Sequence, residues 1–569
     1  MKTSPLAAHP KARPSARAAS PCGRASAKRP SPFATLLALI ALLIAPGTLP
    51  GLSSSAHAAT FDLSTATIED IQAAMNAGAL SAEQLVSLYL ARIDAYDRKG
   101  PRLNSIILVN TNALAEARAL DQERKARGPR SPLHGIVVMP KDVFDTFDMP
   151  TSGGYLPMAR SQPSRDAFVI DRLRKAGAII LAKLNQSDWY GVAASGGSTL
   201  QGQVLSPYNP RKYGGGSSSG TGAAMAAWLG TVGLGSDTSG SIVNPTAHGC
   251  LVGIAATQGL ISRTGMMWSA PGQEKGGPMG RSVYDCAAVL DAIAGYDPAD
   301  LMTESSIGRI PAAPYTSFIH PSGLVGARIG VLREMIREGA MHTEGLALTA
   351  RALADMKNAG ALLVDPALSG LNLIAVQQGA GEAAFTRAVA IDAYLARLPD
   401  TAPIRSVQEM ITKGGSMVKP AIVETAAITD LDRNAAFIAM KKQQVMLRDA
   451  LVELMDRHAL DAIVLPYRTT TPAEFSSDPN ARLSSGASDE TRNSLHSFTG
   501  LPTILVPGGF FPSDGMPFSI QFLGRPYSEP TLIRIASGYE SVTRHRKAPS
   551  LTPPLPGEVI EYNLVTSSR

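Results

Sequence analysis

Residues 213–249 read YGGGSSSGTGAAMAAWLGTVGLGSDTSGSIVNPTAHG. Two clusters of small residues stand in this stretch, Gly214–Gly220 and Asp237–Ser241. The alanine-rich run between them, Thr221–Leu229, predicts a helix, because Ala has the highest helix propensity. Thr231–Ser236 predicts a short strand. Two glycine-rich loops around a helix and a strand gather backbone amides and hydroxyls, and glycine lets main chain approach a ligand. The apolar flanks argue against a flexible Gly/Ser linker. No lysine follows the glycines, which removes a phosphate loop. Gly216–Gly220 does fit G-x-S-x-G with Ser218 at its tip, the nucleophile elbow of an α/β-hydrolase-like esterase. An elbow follows a buried strand, whereas Ser206–Lys212 carries two prolines and reads as turn.

Working outward, Ile136–Met139 reads as a buried strand, Asp166–Ala176 as a helix and Ala178–Ala182 as a strand. This alternation predicts α/β architecture, with a large mixed, mostly parallel β-sheet covered by helices on both faces. Thr67 with Asp70 and Ser81 with Gln84 form helix-opening capping boxes. Ala113–Arg127 reads as a helix stopped by Gly128-Pro129, and Pro530 suits the first turn of a last helix. Residues 340–455 read as mainly helical.

The two clusters resemble the amidase signature family, whose pattern is close to GGSSGGSAAA followed by DTGGSIRxP. Ser217 and Ser241 stand at the family's interval between its two catalytic serines. Gly135–Asp142, GIVVMPKD, matches the family's strand that ends in a lysine, here Lys141. Asn185–Trp189, Asn209-Pro210, Gly277–Asp285, Asp461–Pro466 and Gly500–Pro502 fit further segments. The resemblance is close over about 60–295, moderate over 460–548 and weakest in the helical region. Ser239 stands where the family usually has glycine, Val243 where it usually has arginine, and Asp188 where it usually has glutamate.

The resemblance implies the amidase signature fold and an amidohydrolase with a Ser–cis-Ser–Lys triad. Ser241 would be the nucleophile, Ser217 the bridging serine after a cis peptide bond, and Lys141 the base. A serine hydroxyl needs a base at neutral pH, and lysine serves as one only when uncharged, which burial favours. The backbone N–H groups of Thr238, Ser239, Gly240 and Ser241 are the expected oxyanion donors. Ser218 and Asp237 are expected to support the two loops. Tyr155, Trp189 and Tyr190 are candidates for the substrate pocket, and His248 is read as structural.

The start of the chain bears on where it works. Residues 1–32 are rich in Ala, Ser, Pro, Arg and Lys, Phe33–Ala45 is apolar, and Ala56-His57-Ala58 is an A-x-A site. An apolar run this short does not span a bilayer. The pattern predicts an export signal over 1–58, cleaved after Ala58, with residues 59–569 as one amidase domain in the periplasm or medium. The formal net charge of +6 includes seven basic residues of that leader, and what remains carries −1. The basic balance therefore gives no ground for a nucleic-acid partner, and no stable membrane insertion is expected after cleavage. Of three cysteines, Cys22 lies in the leader, and Cys250 and Cys286 read as buried thiols. No C-x-x-C or H-E-x-x-H occurs, so neither metal nor cofactor is expected. The expected partner is an amide, small-molecule or peptide.

Two other readings stay open. Ser416–Lys419 matches the S-x-x-K of penicillin-binding enzymes, without their downstream motifs. The signature is also shared by the amidotransferase component of a tRNA-dependent complex, which would be a partnered, non-hydrolytic role.

Overall fold

The computed structural model describes residues 58–189, 191, 196–475 and 493–563. The expected leader lies outside the described residues except for Ala58, which opens a strand, Ala58–Asp62, antiparallel to Val559–Asn563. All the described residues belong to one compact unit.

The local signals act as read. Thr67 and Ser81 each cap a helix, Ile68–Asn76 and Ala82–Arg92, with both bonds of the capping box made. The helix Ala113–Arg127 ends at Gly128, and Pro530 stands in the first turn of Glu529–Thr543. Residues 340–455 carry six α-helices, from Thr343–Asn358 to Ala435–Arg457, two short 3-10 turns and one strand, Leu362–Ala367.

A ten-stranded sheet organises the chain. Its order is Leu362–Ala367, Arg328–Leu332, Ala462–Pro466, Pro517–Leu523, Thr503–Phe510, Val252–Ala255, Lys275–Gly280, Val232–Asp237, Val137–Pro140 and Ile179–Ile180. The central strands are buried along their whole length, as a sheet covered on both faces requires. The expectation of a mostly parallel sheet needs correcting. Pairing is parallel at the two ends and antiparallel through the middle. The end strands are joined by helical crossovers, which parallel neighbours need. The middle strands return on one another: Thr503–Phe510 and Pro517–Leu523 form a hairpin, and Lys275–Gly280 comes back between Val232–Asp237 and Val252–Ala255.

The helix predicted after the first small-residue cluster is Ser219–Ala226, and the strand after it is Val232–Asp237. They lie close because Gly233 has no side chain: a β-carbon there would come within 2.4 Å of Thr221 Cγ2. The first loop in turn presses on the helix that follows Ser241, Val243–His248. A β-carbon on Gly215 would sit 2.5 Å from Pro245 Cα, and the φ of 94° there also favours glycine. Cys250 and Cys286 are free and buried.

Candidate active site

Lys141 follows directly on the strand Val137–Pro140, whose neighbour is Val232–Asp237. Its N–H donates to Leu234 O at 2.9 Å, which extends the pairing and sets its side chain beside Ser236. The side chain is 2% exposed. Its Nζ donates to Ser217 Oγ at 2.6 Å and to Ser236 Oγ at 2.9 Å. Burial lowers the ammonium pKa from 10.5 to about 8, against the opposing pull of Glu274 and Asp237. A group that is half neutral near pH 8 is suited to taking a proton from a hydroxyl.

Ser217 lies in the first loop, half-buried, and the Gly216–Ser217 peptide is cis. The next residue links the two loops: Ser218 N donates to Ser241 O at 3.3 Å. Ser218 Oγ donates to Ser236 O and accepts from Ser236 N, both at 3.2 Å. Ser218 is wholly buried, and no strand runs into its loop from residues 204–217. Both facts contradict the elbow, whose serine stands exposed after a strand, so the esterase reading with Ser218 as nucleophile is set aside.

Ser241 stands in the turn between Val232–Asp237 and Val243–His248, 8% exposed. Asp237 holds this turn from inside. Its carboxylate accepts from Gly240 N at 2.7 Å and Ile242 N at 2.8 Å, and from Ser497 Oγ at 2.6 Å. His496 Nε2 lies 3.3 Å from the same carboxylate. Burial alone would raise the Asp237 pKa, but His496, Ser497 and the Ile242 amide outweigh it and hold the group well below the usual carboxylate range. Gly240 therefore departs from its expected role, since its N–H is already given to Asp237. Thr238, Ser239 and Ser241 are left as the amides to consider for an oxyanion. Ser494 Oγ donates to Ser239 O at 2.8 Å, and Thr238 Oγ1 donates to Glu274 Oε2 at 2.7 Å. Among the described residues the Ser241 hydroxyl makes no hydrogen bond of its own.

Ser236, Glu274, His496 and Ser497 escape a reading of the sequence. Ser236 has a signal: it sits in the strand paired with the one that ends at Lys141. Glu274 directly precedes a strand. His496 and Ser497 reach the turn only through tertiary structure, at separations of 259 and 260 residues.

The other candidates divide. Tyr155 is fully buried, and a β-carbon on Gly414 would strike its hydroxyl. Trp189 stands edge-on to Tyr394, with ring centroids 6.1 Å apart. Both thus lie where the core meets the helical region, while Tyr190 falls outside the described residues. The His248 ring, buried, sits edge-on between Tyr213 and Tyr467, and burial holds its pKa well below the usual value. Lys419 of the S-x-x-K match donates to Asp188 O at 2.8 Å, and Ser416 is exposed. Among the described residues no cluster of His, Cys, Asp and Glu could hold a metal ion, and no helix is long and apolar enough to cross a membrane.

Comparison with known proteins bears on the family and the fold. The Amidase family model matches residues 84–533. A probable amidase of Arabidopsis thaliana is 32% identical over 509 residues, covering 86% of this chain and 92% of the plant protein. A glutamyl-tRNA(Gln) amidotransferase subunit of Thioalkalivibrio sulfidiphilus is 30% identical over 493 residues, covering 85% of this chain and 98% of that protein. Among solved structures, the native peptide amidase from Stenotrophomonas maltophilia matches with a TM-score of 0.75 and 33% identity, covering 86% of this chain and 99% of that one.

Proposed function

The chain belongs to the amidase family, and from that premise we propose that it cleaves a carboxamide C–N bond through an acyl-enzyme on Ser241, with Ser217 and Lys141 as its proton route. That it is an amide-hydrolysing enzyme follows from the family and from its peptide amidase neighbour. The observation that carries the finer reading is the buried Lys141 Nζ 2.6 Å from Ser217 Oγ.

In the forward step Ser241 Oγ attacks the carbonyl carbon. Its proton goes to Ser217 Oγ, whose own proton goes to neutral Lys141 Nζ. The carbonyl oxygen becomes an oxyanion facing the amides of the 238–241 turn, which Asp237 holds in place before substrate arrives. The C–N bond then breaks. The proton returns from Lys141 through Ser217 to the departing nitrogen, so the leaving group is a neutral amine or ammonia. Water attacks the ester by the same route, releasing the carboxylic acid and restoring Ser241. The Ser217-to-Ser241 hydroxyl contact would close on substrate binding, as catalytic hydrogen bonds often do.

The similarity to a peptide amidase makes a peptide-terminal or small carboxamide the first substrate to try. The leader sequence supports a periplasmic or secreted enzyme, and N-terminal sequencing of the exported form, expected to begin after Ala58, tests this. The decisive experiment is hydrolysis of simple amides by the isolated chain, with Ser241→Ala as control and a serine-reactive phosphonate to mark the nucleophile. Label on Ser241 and loss of turnover in the variant are expected. Activity that depends on a tRNA and a partner protein would instead favour the amidotransferase role of its relatives.

A further inference from the structure

The helical region brings basic side chains towards the 238–241 turn. In the helix Ala383–Leu395, Arg387, Ile391 and Tyr394 fall on one side, at i, i+4 and i+7. Ile391 and Tyr394 are fully buried, and Tyr394 stands against Trp189, so this side faces the core. The start of the helix is pinned beside the nucleophile turn. Gly272 N donates to Glu382 Oε1 at 2.9 Å and Thr386 Oγ1 to Ser269 O at 3.2 Å. Gln273 from the same segment donates to Thr238 O at 3.3 Å. Arg387 is thereby brought within electrostatic reach of Glu274 on one side and of Lys419 on the other.

Neither cation closes an ion pair among the described residues, although Glu274 and Asp188 act on them from a distance. Arg387 forms no ion pair among the described residues, and its Nε is buried with no hydrogen-bond partner. Lys419 takes the main-chain carbonyl of Asp188, not its carboxylate. The Asp188 carboxylate accepts instead from Gly191 N and Thr199 N, both at 2.8 Å. Glu274 accepts from the Thr238 hydroxyl and from Ser269 N. Two cations that act on one another, half-buried, without an ion pair and with the nearby acids hydrogen-bonded elsewhere, suit an anion from outside.

We propose that Arg387 and Lys419 form an anion-recognition site and that the substrate is an amide whose acyl portion carries a carboxylate. This rests on the reading of Ser241 as the nucleophile of an amidase. The carboxylate would pair with the Arg387 guanidinium, with Lys419 adding charge, while the amide lies at the 238–241 turn. Burial and Arg387 together lower the Lys419 pKa to about 8, although Asp188 opposes them, and an arriving anion would restore the full charge.

The test uses the full chain with Ser241→Ala, so that binding is read without turnover. Succinamate, glutaramate and adipamate are titrated calorimetrically against butyramide, valeramide and hexanamide. At least one acid amide is expected to bind about tenfold or more tighter than its neutral counterpart, with a preference that shrinks as salt is added. Adding Arg387→Met is expected to reduce that preference by about 10- to 100-fold, and Arg387→Lys to keep part of it. If Arg387→Met does not fold, judged by circular dichroism, Lys419→Met takes its place, with a smaller loss expected. Equal affinity for charged and neutral amides at all three lengths overturns the proposal, as does a preference that survives the substitution. Anion preference without hydrolysis by the wild-type chain would count against the proposed function alone. Hydrolysis without anion preference would count against this inference alone.

Discussion

Replacing Lys141 by Met is expected to cut turnover steeply and to shift stability by an amount that changes sign with pH. Burial lowers the lysine pKa from 10.5 to about 8. At about 1.4 kcal/mol per unit, holding the proton in the folded state costs about 3 kcal/mol. Below pH 8 folded and unfolded chains both carry the proton, so the wild type bears this cost in full. Between pH 8 and 10.5 the unfolded chain binds a proton that the folded chain lacks, and wild-type stability therefore rises with pH relative to the variant. Above 10.5 the cost is gone. Against it stand the two bonds from Nζ to Ser217 and Ser236, at about 1 kcal/mol each. The Met variant should thus be ahead by about 1 kcal/mol at pH 7 and behind by about 2 kcal/mol near pH 10.5, from the same principles. Urea unfolding of both chains at pH 7, 8, 9 and 10 measures the difference, in which titrating groups remote from Lys141 cancel. The same variant should lose about 10²- to 10⁴-fold in kcat. Stability curves that stay parallel over this range would mean that the lysine is not depressed, and the proposed proton route would fall with it.

The acid limb of kcat/KM should rise with pH, reach half its plateau near pH 8 and level off above it, because only neutral Lys141 accepts a proton; a flat profile from pH 6 to 9 contradicts this. Ser218→Ala should destabilise the fold by about 1–3 kcal/mol, since it strips a buried hydroxyl from Ser236, yet leave measurable turnover. Complete loss of activity in a folded Ser218→Ala chain would revive the esterase reading. Asp237→Ala should reduce kcat more than it alters KM and lower the unfolding midpoint, because the turn loses the acceptor for two amides. Thiol titration should find Cys250 and Cys286 reactive only at the rate of unfolding, both being buried and unpaired.

Short-range chemistry is legible in the sequence and long-range pairing is not. The capping boxes at Thr67 and Ser81, the glycine stop at Gly128 and the strand ending at Lys141 are written in adjacent residues. The interval between Ser217 and Ser241 holds because one helix and one strand fill it. The antiparallel middle of the sheet is hidden because Lys275–Gly280, KGGPMG, has no strand-like composition. It pairs there because Gly277 lets it lie against Ile254, where a β-carbon would meet the carbonyl at 2.2 Å. Gly240 reads as an oxyanion donor because composition does not tell which amides point inward to Asp237. The segment 493–499 has no readable link to the 238–241 turn at all, since only the folded sheet brings them together.

That last contact ties function to the order of synthesis. Ser497 reaches Asp237 across 260 residues, so the ribosome releases the serine turn long before the hydroxyl that secures it. At about 5–20 residues per second the gap is tens of seconds. A nascent or prematurely terminated chain carries the whole signature motif and still lacks its clasp, so the turn is fully secured only with the final portion of the polypeptide.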